Sequence, residues 1–171
     1  MEVLKIIAFA TLTAIVYGVL HDQVTAHVCV EYFTVAHPPL FPTESPFWLA
    51  IGWGFVATWW VGLSLGVGLA LASRIGNRPK LELSEVRVSI LRLMVVSGLI
   101  ALSSGLVGAA LTHIGSVWTI GNWVELIPAN KWPGFAFDLW AHSASYLAGA
   151  VGGIFLIVRT IVIRRQMPTV I

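Results

Sequence analysis

Apolar positions in this chain fall into four long runs, separated by short polar or proline-rich stretches. Val3–Leu20 is interrupted only by Lys5, and Pro46–Ser73 carries no charge at all. Val88–His113 has Arg92 near its start, and Asp138–Ile163 has Arg159 near its end. None alternates like a half-buried strand. A helix rises 1.5 Å per residue, so about 20 apolar residues cross a hydrocarbon core of about 30 Å. The pattern therefore predicts an all-α fold: a polytopic integral membrane protein, one four-transmembrane-helix bundle over residues 1–171. The first run is expected to be a retained helix extending toward residue 36 and not a cleaved leader, because its apolar core is long and its A-x-A signature poor.

Composition agrees. The chain is 57% hydrophobic and 11% charged, against about 25% charged in an ordinary soluble domain. The expected surroundings are a lipid bilayer, with a homo-oligomer or a larger membrane complex as the assembly. The basic pI of 9.0 points to no nucleic acid, since the basic residues sit where a membrane protein needs them. Cys29 is the single cysteine, so an internal disulfide is excluded, and no CxxC zinc or redox motif exists. No phosphate loop, dinucleotide fingerprint or nucleophile elbow occurs, so kinase, dehydrogenase and serine-hydrolase classes have nothing to rest on.

Charge orients the four spans. Lys5, Arg74, Arg78, Lys80, Arg87, Arg92, Arg159, Arg164 and Arg165 fall on one side, and only Lys131 on the other. The positive-inside rule then places both termini and the 74–87 loop in the cytoplasm, in a bacterial inner membrane. All five histidines (His21, His27, His37, His113 and His142) land on the opposite side, facing the periplasm or exterior. Asp22, Glu31, Glu44, Glu125 and Asp138 accompany them. Topology alone thus carries imidazoles from three spans to one depth.

The stretch His21–His37, HDQVTAHVCVEYFTVAH, is the richest in such groups. Read as one helix, Val24, His27 and Glu31 share a narrow stripe. His21 lies about 120° from His27 at 100° per residue and joins that site only if the helix bends. Asp22 points further away and reads as a solvated acid. His37, before Pro38, reads as part of a turn, and Cys29 as a small buried hydrophobe. In the last span Asp138, His142, Ser145 and Gly149 stay within about 60° of one another, and Gly149 and Gly153 form a GxxxG. Small residues let helices approach closely in lipid, so this stripe is expected to pack inward. Gly62 and Gly66 in the second span, and Gly98, Gly105 and Ala109 in the third, are expected to do the same. Trp48, Trp118, Trp123, Trp132 and Trp140 resemble an interfacial belt, and the 114–137 loop a roof over the outer end.

His27/Glu31 is H-x-x-x-E and Asp138/His142 is D-x-x-x-H, each placing nitrogen and oxygen donors on successive turns. With His21 and His113 they give six candidate metal ligands: His21, His27, Glu31, His113, Asp138 and His142. Glu31 and Asp138 double as candidate catalytic carboxylates. A mixed imidazole–carboxylate set suits Zn, Fe, Mn or Cu(II). Three function classes remain: a metal-dependent membrane enzyme acting on a lipid-soluble or periplasmic substrate; a haem-b or quinone-binding electron-transfer subunit using His113 and His142; and a cofactor-free proton or metal pathway or assembly subunit. The simpler alternatives are a local pair for His27/Glu31 and a helix N-cap for Asp138.

Overall fold

The computed structural model describes residues 1–168. Helix α1 spans Glu2–Val28, a short α2 Val30–Thr34, α3 Pro46–Arg74, α4 Leu83–His113 and α5 Trp132–Gln166. Two 3-10 segments, Val117–Glu125 and Ala129–Lys131, fill the connection before α5. Four of the helices are long and apolar enough to cross a membrane. Helix α1 packs chiefly on α3, and α4 chiefly on α5, so two helix pairs face each other.

Several boundaries differ from the sequence expectation, each for a local reason. The first helix does not continue unbroken toward residue 36. Cys29 takes an extended conformation (φ −149, ψ 93) between α1 and α2, flanked by the β-branched Val28 and Val30, whose crowded χ1 favours extended backbone. Helix α4 starts at Leu83, ahead of the apolar run, because Glu82 and Glu85 form a reciprocal capping box, which satisfies orphan N–H groups of the first turn. Helix α5 starts at Trp132 with a proline in its first turn, where the missing N–H costs nothing. Asp138 is therefore inside the helix and is not its cap.

Glycine sets the close contacts. A Cβ on Gly18 would lie 2.5 Å from the Gly54 carbonyl oxygen, and one on Gly54 2.5 Å from the Val19 nitrogen. Backbones of α1 and α3 touch there, as small-residue interfaces allow. Gly62 and Gly66 continue the seam against Ala14, Thr11 and Ile7. Gly105 and Gly108 receive Phe137 and Trp140 of α5. Gly149 behaves differently: among the described residues nothing lies within 4 Å of its would-be Cβ. The small-residue stripe of α5 borders open space there and not a neighbouring helix.

One apolar cluster, including Phe33, Trp53, Ile120 and Phe135, fills the histidine-bearing end. A second, including Ile6, Leu69, Ile90 and Leu156, fills the end that holds the termini. At that second end Arg164, only 4% exposed, donates to the carbonyls of Ala72, Ile75, Arg78 and Pro79 at 2.7–3.0 Å. At the histidine end the long connection is folded against the bundle. The Trp140 indole N–H donates to the Thr119 carbonyl, and that of Trp132 to the Ile127 carbonyl. Trp48 and Trp118 are exposed.

Candidate metal centre

His21, Asp22 and His142 each offer one potential donor atom, and these atoms all lie within 4.8 Å of one another. Helix α1 delivers the first two and α5 the third. Asp22 and His142 are buried. Asp22 is placed by a stripe of small residues: Ile6, Ala10, Ala14, Gly18 and Asp22, at four-residue steps, are all buried on α1. The same close packing that draws α3 onto α1 thus leaves the carboxylate inside the bundle.

The hydrogen bonding of His142 decides what the group can do. Its Nδ1 lies 2.8 Å from the carbonyl oxygen of Asp138, one turn earlier on α5. A carbonyl only accepts, so Nδ1 carries the hydrogen. In the neutral ring Nε2 is then a bare lone pair, and it sits 3.2 Å from Asp22 Oδ1. Two electron-rich atoms at that separation need a cation between or beside them, either a proton or a metal ion. Imidazoles that ligate metals are held in this way, with the far N–H tied to a carbonyl. His21 adds an edge-on ring with its centroid 4.7 Å from that of His142, and its Nε2 is buried without a hydrogen-bond partner among the described residues.

Aromatic walls enclose the group. Tyr32 of α2 stacks on His142 at 4.5 Å, and Phe33 approaches it edge-on. Tyr17 stacks on His21 one turn deeper in α1. The break at Cys29 makes this possible, because it swings α2 across the bundle end so that Tyr32 and Phe33 are both buried. Asp138 is fully buried, and neither carboxylate oxygen has a hydrogen-bond partner among the described residues. Burying an unpaired carboxylate costs several kcal/mol or more, so a proton or cation must accompany it.

Of the six ligands proposed from sequence, His21 and His142 belong to the group, and Asp138 lies one helical turn from His142. Glu31, His27 and His113 lie outside it. Once Cys29 interrupts the helix, Glu31 no longer stacks one turn above His27. It forms an ion pair with Lys131 at 3.0 Å and accepts from the Cys29 thiol. Burial alone would raise the Glu31 pKa, but hydrogen bonds from its own N–H, Lys131 and Cys29 outweigh it and hold the carboxyl below its usual range. His27 is exposed, with Nδ1 donating to the Gln23 carbonyl. His113 is exposed at the end of α4. Asp22, which reads as a solvated acid in sequence, is the residue that reasoning from single turns missed. The Ala10–Ala14–Gly18–Asp22 spacing was the available signal. His37 is a turn residue, as expected, but its ring packs on Tyr32, Phe33 and Trp53, and burial holds its pKa below the usual histidine value. Cys29 is buried, as expected of a small hydrophobe, and burial first, then the Glu31 carboxylate, pushes its thiol up to about 12.

Comparison with protein-family models, with curated proteins and with solved structures finds no match.

Proposed function

We propose that this chain is an integral membrane protein that binds a divalent transition metal through His21, Asp22 and His142. The observation that carries this is the His142–Asp22 contact, in which a tautomer set by the Asp138 carbonyl turns a nitrogen lone pair onto a carboxylate oxygen. Two imidazoles and a carboxylate match the donor preferences of Zn, Fe, Mn or Cu(II). Three protein ligands leave a coordination position open, which is the arrangement of catalytic and not structural zinc sites. A metal held there would supply Lewis-acid chemistry or an activated water. On this reading the protein is a metal-dependent membrane enzyme. Asp22, His21 and His142 hold the ion, and the Asp138 carbonyl fixes the His142 ring. Asp138 is the nearby acid whose carboxylate is free to take a proton or complete the charge balance. Tyr32 and Phe33 shield the group from water. The positive-inside rule puts the termini and the Arg164 end in the cytoplasm and the metal group toward the exterior.

A proton shared between Asp22 and His142 is the second reading, supported by the same 3.2 Å contact. It would make the group a cofactor-free polar layer in a pathway or assembly subunit. A haem between His113 and His142 has less support, because His113 is exposed.

Elemental analysis decides among these. Protein purified without chelators or a histidine tag should carry about one metal ion per chain by the ligand count. His142→Ala and His21→Ala should each lose it, and His27→Ala should keep it. A wild-type protein free of metal after reconstitution with Zn, Mn, Fe and Cu salts would sink the metal proposal and leave the proton-sharing one.

A further inference from the structure

Between the two apolar clusters the bundle is not filled. A cleft of about 450 Å³ lies among α1, α3, α4 and α5, directly inward of the His21–Asp22–His142 group. Its lining includes Tyr17, one turn from His21, and Ser145 and Tyr146, one turn from His142. Tyr17 Oη and Ser145 Oγ are hydrogen-bonded at 2.7 Å, which ties α1 to α5 beneath the two histidines. The rest of the wall is mostly apolar, with Leu65, Met94 and Ile157, and no charged side chain lines it. Trp60, Tyr146 and Ile154 border the cleft and are exposed. The space therefore communicates with the outside between α3 and α5, at the depth where a bilayer would surround the bundle.

One buried polar atom in this wall has no hydrogen-bond partner among the described residues. Ser97 of α4 is 2% exposed and lines the cleft, yet its Oγ makes no hydrogen bond among the described residues. Several hydroxyls elsewhere in the long helices, those of Thr11, Thr112, Ser143 and Thr160 among them, bond back to a carbonyl one turn earlier; Ser97 and, away from the cleft, Ser73 are buried and do not. An orphan hydroxyl in a buried wall is uncommon and calls for a partner. Absence of charge in the wall disfavours an ionised ligand, whose desolvation nothing would offset. The volume is that of an ordinary small-molecule site.

From these features we propose that the cleft binds an uncharged lipid-soluble molecule, an apolar chain ending in a hydroxyl or carbonyl group. The head group bonds to Ser97 and the Tyr17–Ser145 pair, and the chain enters from the bilayer between α3 and α5. This rests on the membrane part of the proposed function and names the class of substrate that would reach the metal group. It does not require the metal itself.

The test uses the full chain in vesicles of phosphatidylethanolamine and phosphatidylglycerol, with diazirine-bearing hexadecanol as the probe. Photolysis and peptide mass spectrometry locate the label. Adducts should concentrate on the Leu93–Ser97 and Tyr146–Gly149 segments. Gly149→Leu should reduce them about tenfold, because its side chain grows into open space and the substitution removes a helix-weakening glycine. Ser97→Ala should lower them several-fold, whereas Ser73→Ala, another buried unpartnered serine away from the cleft, should not. The matched hexadecanoate probe, ionised at alkaline pH, should label these segments no more than hexadecanol labels the Gly149→Leu protein. Label spread evenly over exposed helix faces, unchanged in Gly149→Leu, or equal for the two probes would overturn the proposal. Metal content measured on the same samples separates the two proposals. Gly149→Leu should retain its ion, and a metal-free protein that still takes up hexadecanol here would refute only the metal centre.

Discussion

Asp22 and His142, 120 positions apart in the chain, meet at 3.2 Å inside the bundle. Asp22 is not where its immediate neighbours would have put it, whereas His142 lies on the inward stripe of its helix, as its spacing with Asp138 implied. Asp22 is drawn inward by the glycine and alanine seam of α1. The ring of His142 is locked by the backbone of its own helix, so its orientation is set before any partner arrives. Truncating Asp22 to alanine should leave the His142 Nε2 buried and unpaired, at a cost of about 1–3 kcal/mol. A double-mutant cycle with His142→Ala, read by unfolding in mixed detergent, should show coupling between the two. Strict additivity would mean that the contact contributes nothing.

The α1–α3 seam predicts opposite outcomes for two glycine substitutions. Gly54→Ala places a methyl group against the Gly18 and Val19 backbone at 2.5–2.7 Å and should destabilise by about 1–3 kcal/mol. Gly149→Ala meets nothing and should be neutral or stabilising by about 0.5–1 kcal/mol. Thermal unfolding of the two variants side by side checks the contrast.

Arg164 gathers the Ala72 carbonyl, in the last turn of α3, together with three carbonyls of the segment that follows, those of Ile75, Arg78 and Pro79. Arg164→Ala should release that segment and speed its cleavage in limited proteolysis. Arg164→Lys should not rescue it, because a single ammonium cannot span four acceptors held by a planar guanidinium.

The Glu31–Lys131 pair makes a pH prediction. The folded-state pKa of Glu31 lies below its ordinary value, so its contribution to stability is present above the unfolded-state pKa. That contribution is lost as pH falls through the folded one. Side-chain exposures of 20% and 43% keep it small, about 0–1 kcal/mol. Wild type and Glu31→Gln should differ slightly at neutral pH and converge in acid. A gap that widens on acidification would contradict the assignment.

Cys29 should resist iodoacetamide at neutral pH in the folded protein. Its thiol is buried and pushed up to about 12, and the thiolate is the reactive species. Alkylation followed by mass spectrometry should show labelling only after denaturation in dodecyl sulfate.

Hydropathy was enough to read the four long helices, because a charge-free run such as Pro46–Ser73 is too long for a strand. Charge segregation was enough to gather the histidines at one end. Their grouping was a different matter. His27 and Glu31 looked like one helical pair, and a single extended residue, Cys29, separated them and sent Glu31 to Lys131. Periodicity assumes an unbroken helix and cannot register such a break. Asp138, a candidate ligand, was equally open to reading as a helix cap or first-turn acid because the apolar run begins there, whereas Pro133 and the folded 3-10 connection carried the helix start back to Trp132.

By itself, then, the sequence determined which segments are long and apolar enough to span a bilayer and which end of the bundle collects imidazoles and acids. Both follow from local properties, length and charge, that no tertiary contact can reverse. Only the tertiary structure decided which of those groups touch. Choosing Asp22 over Glu31, and His21 over His27 and His113, depends on the rotation of α1 against α3 and on where α5 crosses α1. Those rotations are set by glycine contacts such as Gly18 on Gly54, between residues far apart along the chain.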